Sequence, residues 1–115
     1  MIKLTDYMGD VVELEVQITK YLEGGCLAVV LINPTNGELY TVLSRNIEEA
    51  IPFMSDNQTL IPQADEGEFK HEAVKQLIQQ GVLTPTDVKF PYNFYTMELF
   101  EVCIEKADSV NFNEQ

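Results

Sequence analysis

VVELEVQITKY, Val11–Tyr21, decides the fold class. Val12, Leu14, Val16 and Ile18 alternate with Glu13, Glu15, Gln17 and Thr19. Strict period-two alternation means a strand with one buried and one wet face. Downstream, Gly24-Gly25 breaks the chain. Cys26–Asn33 (CLAVVLIN) is then continuously apolar and too short for a good helix, so it reads as a central strand covered on both faces. Pro34-Thr35-Asn36-Gly37 makes a four-residue hairpin loop, because Pro presets φ and Asn-Gly accepts the left-handed conformation. Glu38–Leu43 returns as the third strand of an antiparallel meander.

Further along, Asn46 caps a short turn through Ile47–Ala50, which Pro52 is expected to end. Phe53-Met54 and Thr59–Ile61 read as short strand pieces. Asp65 with Glu68 three residues later resembles a capping box. Phe69, Ala73, Val74, Leu77 and Ile78 then recur at helical spacing, and Gly81 and Pro85 stop the helix. Val82-Leu83 is expected to fold back onto the helix stripe. The last strand is Asn93–Ile104, and its apolar parity switches near Leu99-Phe100. A bulge does this, or a strand covered on both sides. The expected architecture is α+β: an antiparallel β-meander sheet of four to five strands with one main α-helix packed on one face. Residues 1–105 form a single domain and 106–115 a frayed polar tail.

Composition narrows the function. The chain has 115 residues, 45% of them hydrophobic, enough for one core. Nineteen acids against seven bases give a net charge of −12. That excludes direct non-specific binding to nucleic acid or anionic lipid, which needs clustered Lys and Arg. No apolar run is long enough for a membrane span, and Met1–Asp10 lacks the pattern of a signal peptide. Cys26 and Cys103 lack metal or redox spacing, so free thiols in a reducing cytoplasm are expected.

Residues able to carry catalysis are sparse. His71 is the single histidine, flanked by Lys70 and Glu72 on the helix, where a surface role is the ordinary one. Neither cysteine has a basic neighbour in sequence to lower its pKa. Gly24-Gly25 belongs to no phosphate-binding motif. Asp65-Glu66-Gly67-Glu68 fails as an EF-hand, since the first ligand position falls on Pro62. A small hydrolase or transferase acting through Cys103 or His71 is the least supported reading. No catalytic residue, cofactor or metal is expected.

The acids invite a sharper interpretation than solubility. Glu13 and Glu15 stand two apart on one strand face, about 7 Å along the chain. Carboxylates at such intervals resemble the phosphates of a nucleic-acid strand, so an acidic face can occupy a Lys/Arg groove. Glu98, Glu101 and Glu105 near the C-terminus, the Glu48-Glu49 pair and the Asp65-Glu66-Glu68 cluster are candidates to join it. Tyr92, Phe94 and Tyr95 after Pro91 are either an adhesive patch or core residues of the final strand.

Between Tyr40 and Phe100 the chain carries a recurring pattern. Tyr40, Leu43, Ser44, Asn46 and Ile47 form its first part, and Asp56-Asn57-Gln58 a partial second. A helix over 68–81 ending in Gly81, then Phe94, Thr96, Leu99 and Phe100, complete it. The pattern resembles an uncharacterised family of short acidic proteins, a domain of unknown function encoded on bacterial plasmids and conjugative elements. The family often has Tyr-Pro where this chain has Met97-Glu98, and a tryptophan before the helix that this chain lacks. The resemblance implies a mobile-element setting, in which small acidic proteins often act against restriction or CRISPR defences.

Two function classes follow. In the first, a non-enzymatic acidic protein acts as a nucleic-acid mimic and inhibits a basic DNA- or RNA-binding partner such as a host defence nuclease. In the second, an accessory domain without mimicry meets a protein partner through the Tyr92 patch or a sheet edge. Either is compatible with a monomer or a homodimer paired through an edge strand.

Overall fold

The computed structural model describes residues 1–5, 8–21, 26–62, 68–92 and 95–112. Along the chain come β1 (Ile2–Thr5), β2 (Val11–Lys20), β3 (Leu27–Ile32), β4 (Leu39–Val42) and the 3₁₀ helix η1 (Glu48–Phe53). After these come β5 (Gln58–Pro62), α1 (Glu68–Gln79), β6 (Leu83–Tyr92), β7 (Tyr95–Val102), a second 3₁₀ turn η2 (Ile104–Lys106) and β8 (Ser109–Asn111). The chain is α+β, mostly antiparallel sheet with one helix.

The first sheet is the meander β1-β2-β3-β4, each neighbour antiparallel. Alternation along β2 buries Leu14, Val16 and Ile18 and turns Glu13, Glu15, Gln17 and Thr19 outward. β3 is buried along Leu27–Leu31, as expected of a strand covered on both faces. Gly37 closes the β3–β4 loop at φ +74°, and its N–H donates to the Asn33 carbonyl at 2.8 Å.

A fifth strand completes this sheet from the C-terminal end. β8 runs parallel to β2, pairing Ser109–Asn111 with Gln17–Thr19, while β1 pairs with Val11–Leu14. β3 holds the other side of β2, so β1 and β8 lie end to end along one edge. Asp108 makes the joint. Its Oδ2 accepts the Val16 N–H at 2.8 Å, its Oδ1 takes the N-terminal ammonium at 2.9 Å, and its own N–H donates to the Val16 carbonyl at 3.0 Å. The tail expected to fray from residue 106 is therefore built into the sheet over 109–111; residues 113–115 lie outside the described ones.

A second sheet replaces the single sheet expected. β7 sits between β5 and β6, both antiparallel to it. The split begins where the chain leaves β3. The Leu43 N–H still donates to the Val29 carbonyl, but the Arg45 N–H donates to the Leu60 carbonyl, at 2.9 Å each. Two buried hydroxyls satisfy the β3 groups left behind. Ser44 Oγ accepts the Val29 N–H at 3.0 Å, and Thr59 Oγ1 donates to the Leu27 carbonyl at 2.9 Å. Replacing Ser44 by Ala strands that N–H in the interior. The expected cost is about 1–3 kcal/mol, read as a lower urea midpoint at unchanged slope.

The Tyr21 hydroxyl lies 2.8 Å from Ser44 Oγ, so its ring crosses β3 from β2 to the β4 side. Burial raises the Tyr21 phenol above its ordinary 10.0, partly offset by the Ser44 hydrogen bond and Arg45, while Cys26 adds to the rise. Folding thus favours the neutral phenol. Its contribution is complete below pH 10 and is lost as the pH climbs through the folded value. Tyr21→Phe should flatten that alkaline loss in denaturation curves taken between about pH 9 and 12.

β7 resolves the parity switch read from its sequence. Phe100 and Val102 enter the main core with Leu14, Leu31, Leu77 and Leu83. Met97 and Leu99 belong to a second cluster with Ile47, Ala50 and Leu60. The strand is covered on both sides; the register shift lies across from it, on β6 between Pro85 and Lys89.

The helix stripe is real at Ala73 and Leu77, both fully buried, with Val74 packed against the same core. The main neighbours of α1 are β1 and β6, which are strands of different sheets, so the helix does not cover one sheet face as expected. Gly81 ends it at φ +82°, and Val82 and Leu83 turn back into the core. The proposed cap at Asp65 lies outside the described residues. Pro52 does not end the turn after Ile47. It sits inside η1, because its fixed φ suits a 3₁₀ helix. Phe53 closes η1 instead of starting a strand.

Candidate functional site

Two of the acids singled out in sequence share one surface. Glu13 and Glu15 lie on the outer face of β2, Glu13 exposed and Glu15 half-buried. Glu15 Oε2 accepts the Ser109 hydroxyl at 2.7 Å, which orients one carboxylate. Lys3 stands across the ladder from Glu13.

The remaining acids are elsewhere. Glu98 and Glu101 are on β7 in the second sheet, three residues apart. Odd spacing on a strand sends them to opposite faces: Glu98 shares the parity of Phe100 and the main core, Glu101 that of Leu99 and the second cluster. Glu48 and Glu49 are exposed in the first turn of η1. Glu68 opens α1, Glu105 lies exposed in η2, and Asp65 and Glu66 fall outside the described residues. The described acids are thus spread over both sheets, η1, η2 and α1, and Glu13 with Glu15 is the pair that shares a strand face. Even so, none of Glu13, Glu15, Glu48, Glu49, Glu98 or Glu101 has a basic nitrogen within 4.0 Å, among the described residues.

The aromatic patch dissolves into packing. Tyr92 is half-buried and lies with Phe90 against the second core cluster. Phe94 and the Tyr95 side chain are outside what is described.

The edges at β1, β4 and β6 are partly closed as well. The Lys3 N–H donates to Gln76 Oε1 at 3.0 Å, and Gln76 Nε2 donates to the Lys3 carbonyl at 2.6 Å. Gln80 Nε2 takes the Met1 carbonyl at 3.0 Å. Gln76 on α1 and Gln80 just past its end thus stand in for a strand along β1. On β4 the Leu43 N–H faces β3, so the Val42 and Ser44 carbonyls face outward. Arg45 Nη1 caps both, at 3.3 and 3.0 Å. β6 carries Pro85 and Pro91, and between them a bulge with Asp87 at φ 65° and Thr86 Oγ1 donating to the Leu99 carbonyl at 2.7 Å. Prolines and bulges of this kind keep an edge from recruiting a further strand.

Groups suited to catalysis stay apart. His71 is exposed on α1. Burial, and then the Asp56 carboxylate, push the Cys26 thiol up, which keeps it protonated and weakly nucleophilic at neutral pH. No three His, Cys, Asp or Glu side chains converge to hold a metal among the described residues. No described helix is long and apolar enough to cross a membrane.

Sequence reasoning missed β1, β6 and β8. Ile2-Lys3-Leu4-Thr5 does alternate, a signal that was available for β1. It also missed the gatekeeping roles of Arg45, which folds back on neighbouring carbonyls, and of Gln76 and Asp108, which depend on strands distant in sequence. Compared with known proteins, the chain matches no family model, no curated relative and no solved structure.

Proposed function

We propose that this chain is a non-enzymatic acidic binding protein whose partner is a basic protein of the kind that holds nucleic acid. The observation that carries the reading is the uncompensated charge. The net charge is −12, and among the described residues the acids on β2, η1 and β7 have no basic group within ion-pair distance. Such a molecule draws a positively charged partner by long-range steering. Strict mimicry of a phosphate row is confined to Glu13 and Glu15, the pair that shares a strand face. A defence nuclease, as the mobile-element resemblance suggests, fits this chemistry, and its setting would be cytoplasmic. Contact through Tyr92 or through the β1 or β4 edge is less favoured, since those edges are capped and Tyr92 is packed.

The test is competition. A basic ribonuclease is loaded with labelled single-stranded DNA, and this protein is added as competitor. Displacement is expected at about 50 mM salt and should weaken by tenfold or more near 300 mM, where the screening length falls to roughly 6 Å. Glu13→Lys with Glu15→Lys should weaken it by about tenfold at low salt. No displacement at low salt would end the reading.

A further inference from the structure

We infer that the outer face of the five-stranded sheet docks a basic amphipathic helix of a partner protein. The inference rests on the acidic-binding reading and gives it a place. Glu15, Ile32 and Leu39 stand in register across β2, β3 and β4, so one row runs from a carboxylate to two aliphatic side chains. The next row is Gln17, Val30 and Val42, with Val30 itself buried, and a register shift between the two rows brings Leu39 opposite Ile32. Leu39 is 59% exposed, a large apolar side chain left in water on a strand. Ile32 and Val42 are half-exposed, and neither belongs to a core cluster. Tyr21 crosses β3 near Ala28, so the opposite end of this face is covered and the open part is the end with Glu13, Glu15 and Leu39.

Dimensions and charge select the occupant. β2 and β4 are separated by two strand spacings, about 10 Å, close to the diameter of a helix. A helix laid over the Ile32 end of β3, past the buried Val30, sets its apolar stripe on Ile32, Leu39 and Val42 and its Lys/Arg flank over Glu13 and Glu15. A partner strand is disfavoured at β1, β4 and β6, where Gln76, Gln80, Arg45 and the β6 prolines occupy the edges. A second copy is opposed by charge, since both molecules carry −12 and acid would meet acid.

Two synthetic peptides test this against the whole protein: a Leu/Lys amphipathic helix of about four turns and an all-Lys peptide of equal charge. Binding is followed by amide chemical shifts and titration at low salt. The Leu/Lys peptide should bind at least about tenfold more tightly, with shifts centred on Glu13–Gln17, Ile32 and Leu39. Leu39→Ser should remove most of that advantage, leave all-Lys binding unchanged and leave the melting temperature within about 2 °C. Glu15→Lys should weaken both peptides. Shifts centred on η1 or β7, or a Leu39→Ser protein that binds like the wild type, overturn the docking face while leaving the basic-partner reading standing. Failure of both peptides to bind at low salt overturns both.

Discussion

Phe100→Ala should cost about 3–5 kcal/mol, a large part of the 5–15 kcal/mol that ordinarily separates a folded domain from its unfolded chain. Phe100 is 3% exposed and sits on the middle strand of the second sheet, opposite Thr59 on β5 and Pro85 on β6. Its ring projects into the main core, where both sheets and α1 meet through Leu14, Leu31, Ile61 and Leu77. Removing it leaves a cavity that three different elements would have to collapse to fill. β7 is pinned on its other face by Met97 and Leu99, so it cannot move freely toward the gap. Urea unfolding should show the midpoint drop, and Glu101→Ala, exposed one residue later, should change it by less than about 0.5 kcal/mol. A loss below about 1 kcal/mol for Phe100→Ala would mean that β7 does not face the main core.

Ending the chain at Ala107 should destabilise the fold by about 3 kcal/mol, although the removed segment looks like a polar tail. The truncation takes away the Asp108 carboxylate, and a hydrogen bond to a charged group is worth about 1.5–3 kcal/mol. It also removes the β8 ladder and the Ser109 contacts to Glu15 and Gln17. Half the edge of β2 is then bare. Amide exchange at Val16 should accelerate by at least tenfold, because its N–H loses the Asp108 carboxylate. Asp108→Ala alone should reproduce about half of the loss. A truncated chain as stable as the full one would show that β8 adds nothing to the sheet.

The expected resemblance to a family of short acidic proteins rests on residues that the structure uses for architecture. Leu43, Ser44 and Ile47 are buried where the chain passes from one sheet to the other, and Leu99 and Phe100 serve the two cores. A pattern of this kind reports how a fold is joined. It says little about what the surface meets, and the partner has to be found through charge and exposed apolar groups.

Local chemistry was enough to place β2, β3, β4, β5, α1 and β7. Their signals are short-range: alternation in VVELEVQITK, the unbroken apolar run after Cys26, Asn-Gly in the loop, and Gly81 after a helical stripe. The parity switch at Leu99-Phe100 left a bulge or a strand covered on both sides, and the two cores decide for the second. The division into two sheets was beyond such signals, because Ser44, Thr59 and Arg45 find partners on strands far away in the chain. So was the role of Asp108, 92 residues from Val16. The acids show the same limit. Their number, and so the long-range field, is a property of composition. Which of them share a surface depends on strand order and parity, and those arise only when distant segments compete for the same backbone hydrogen bonds.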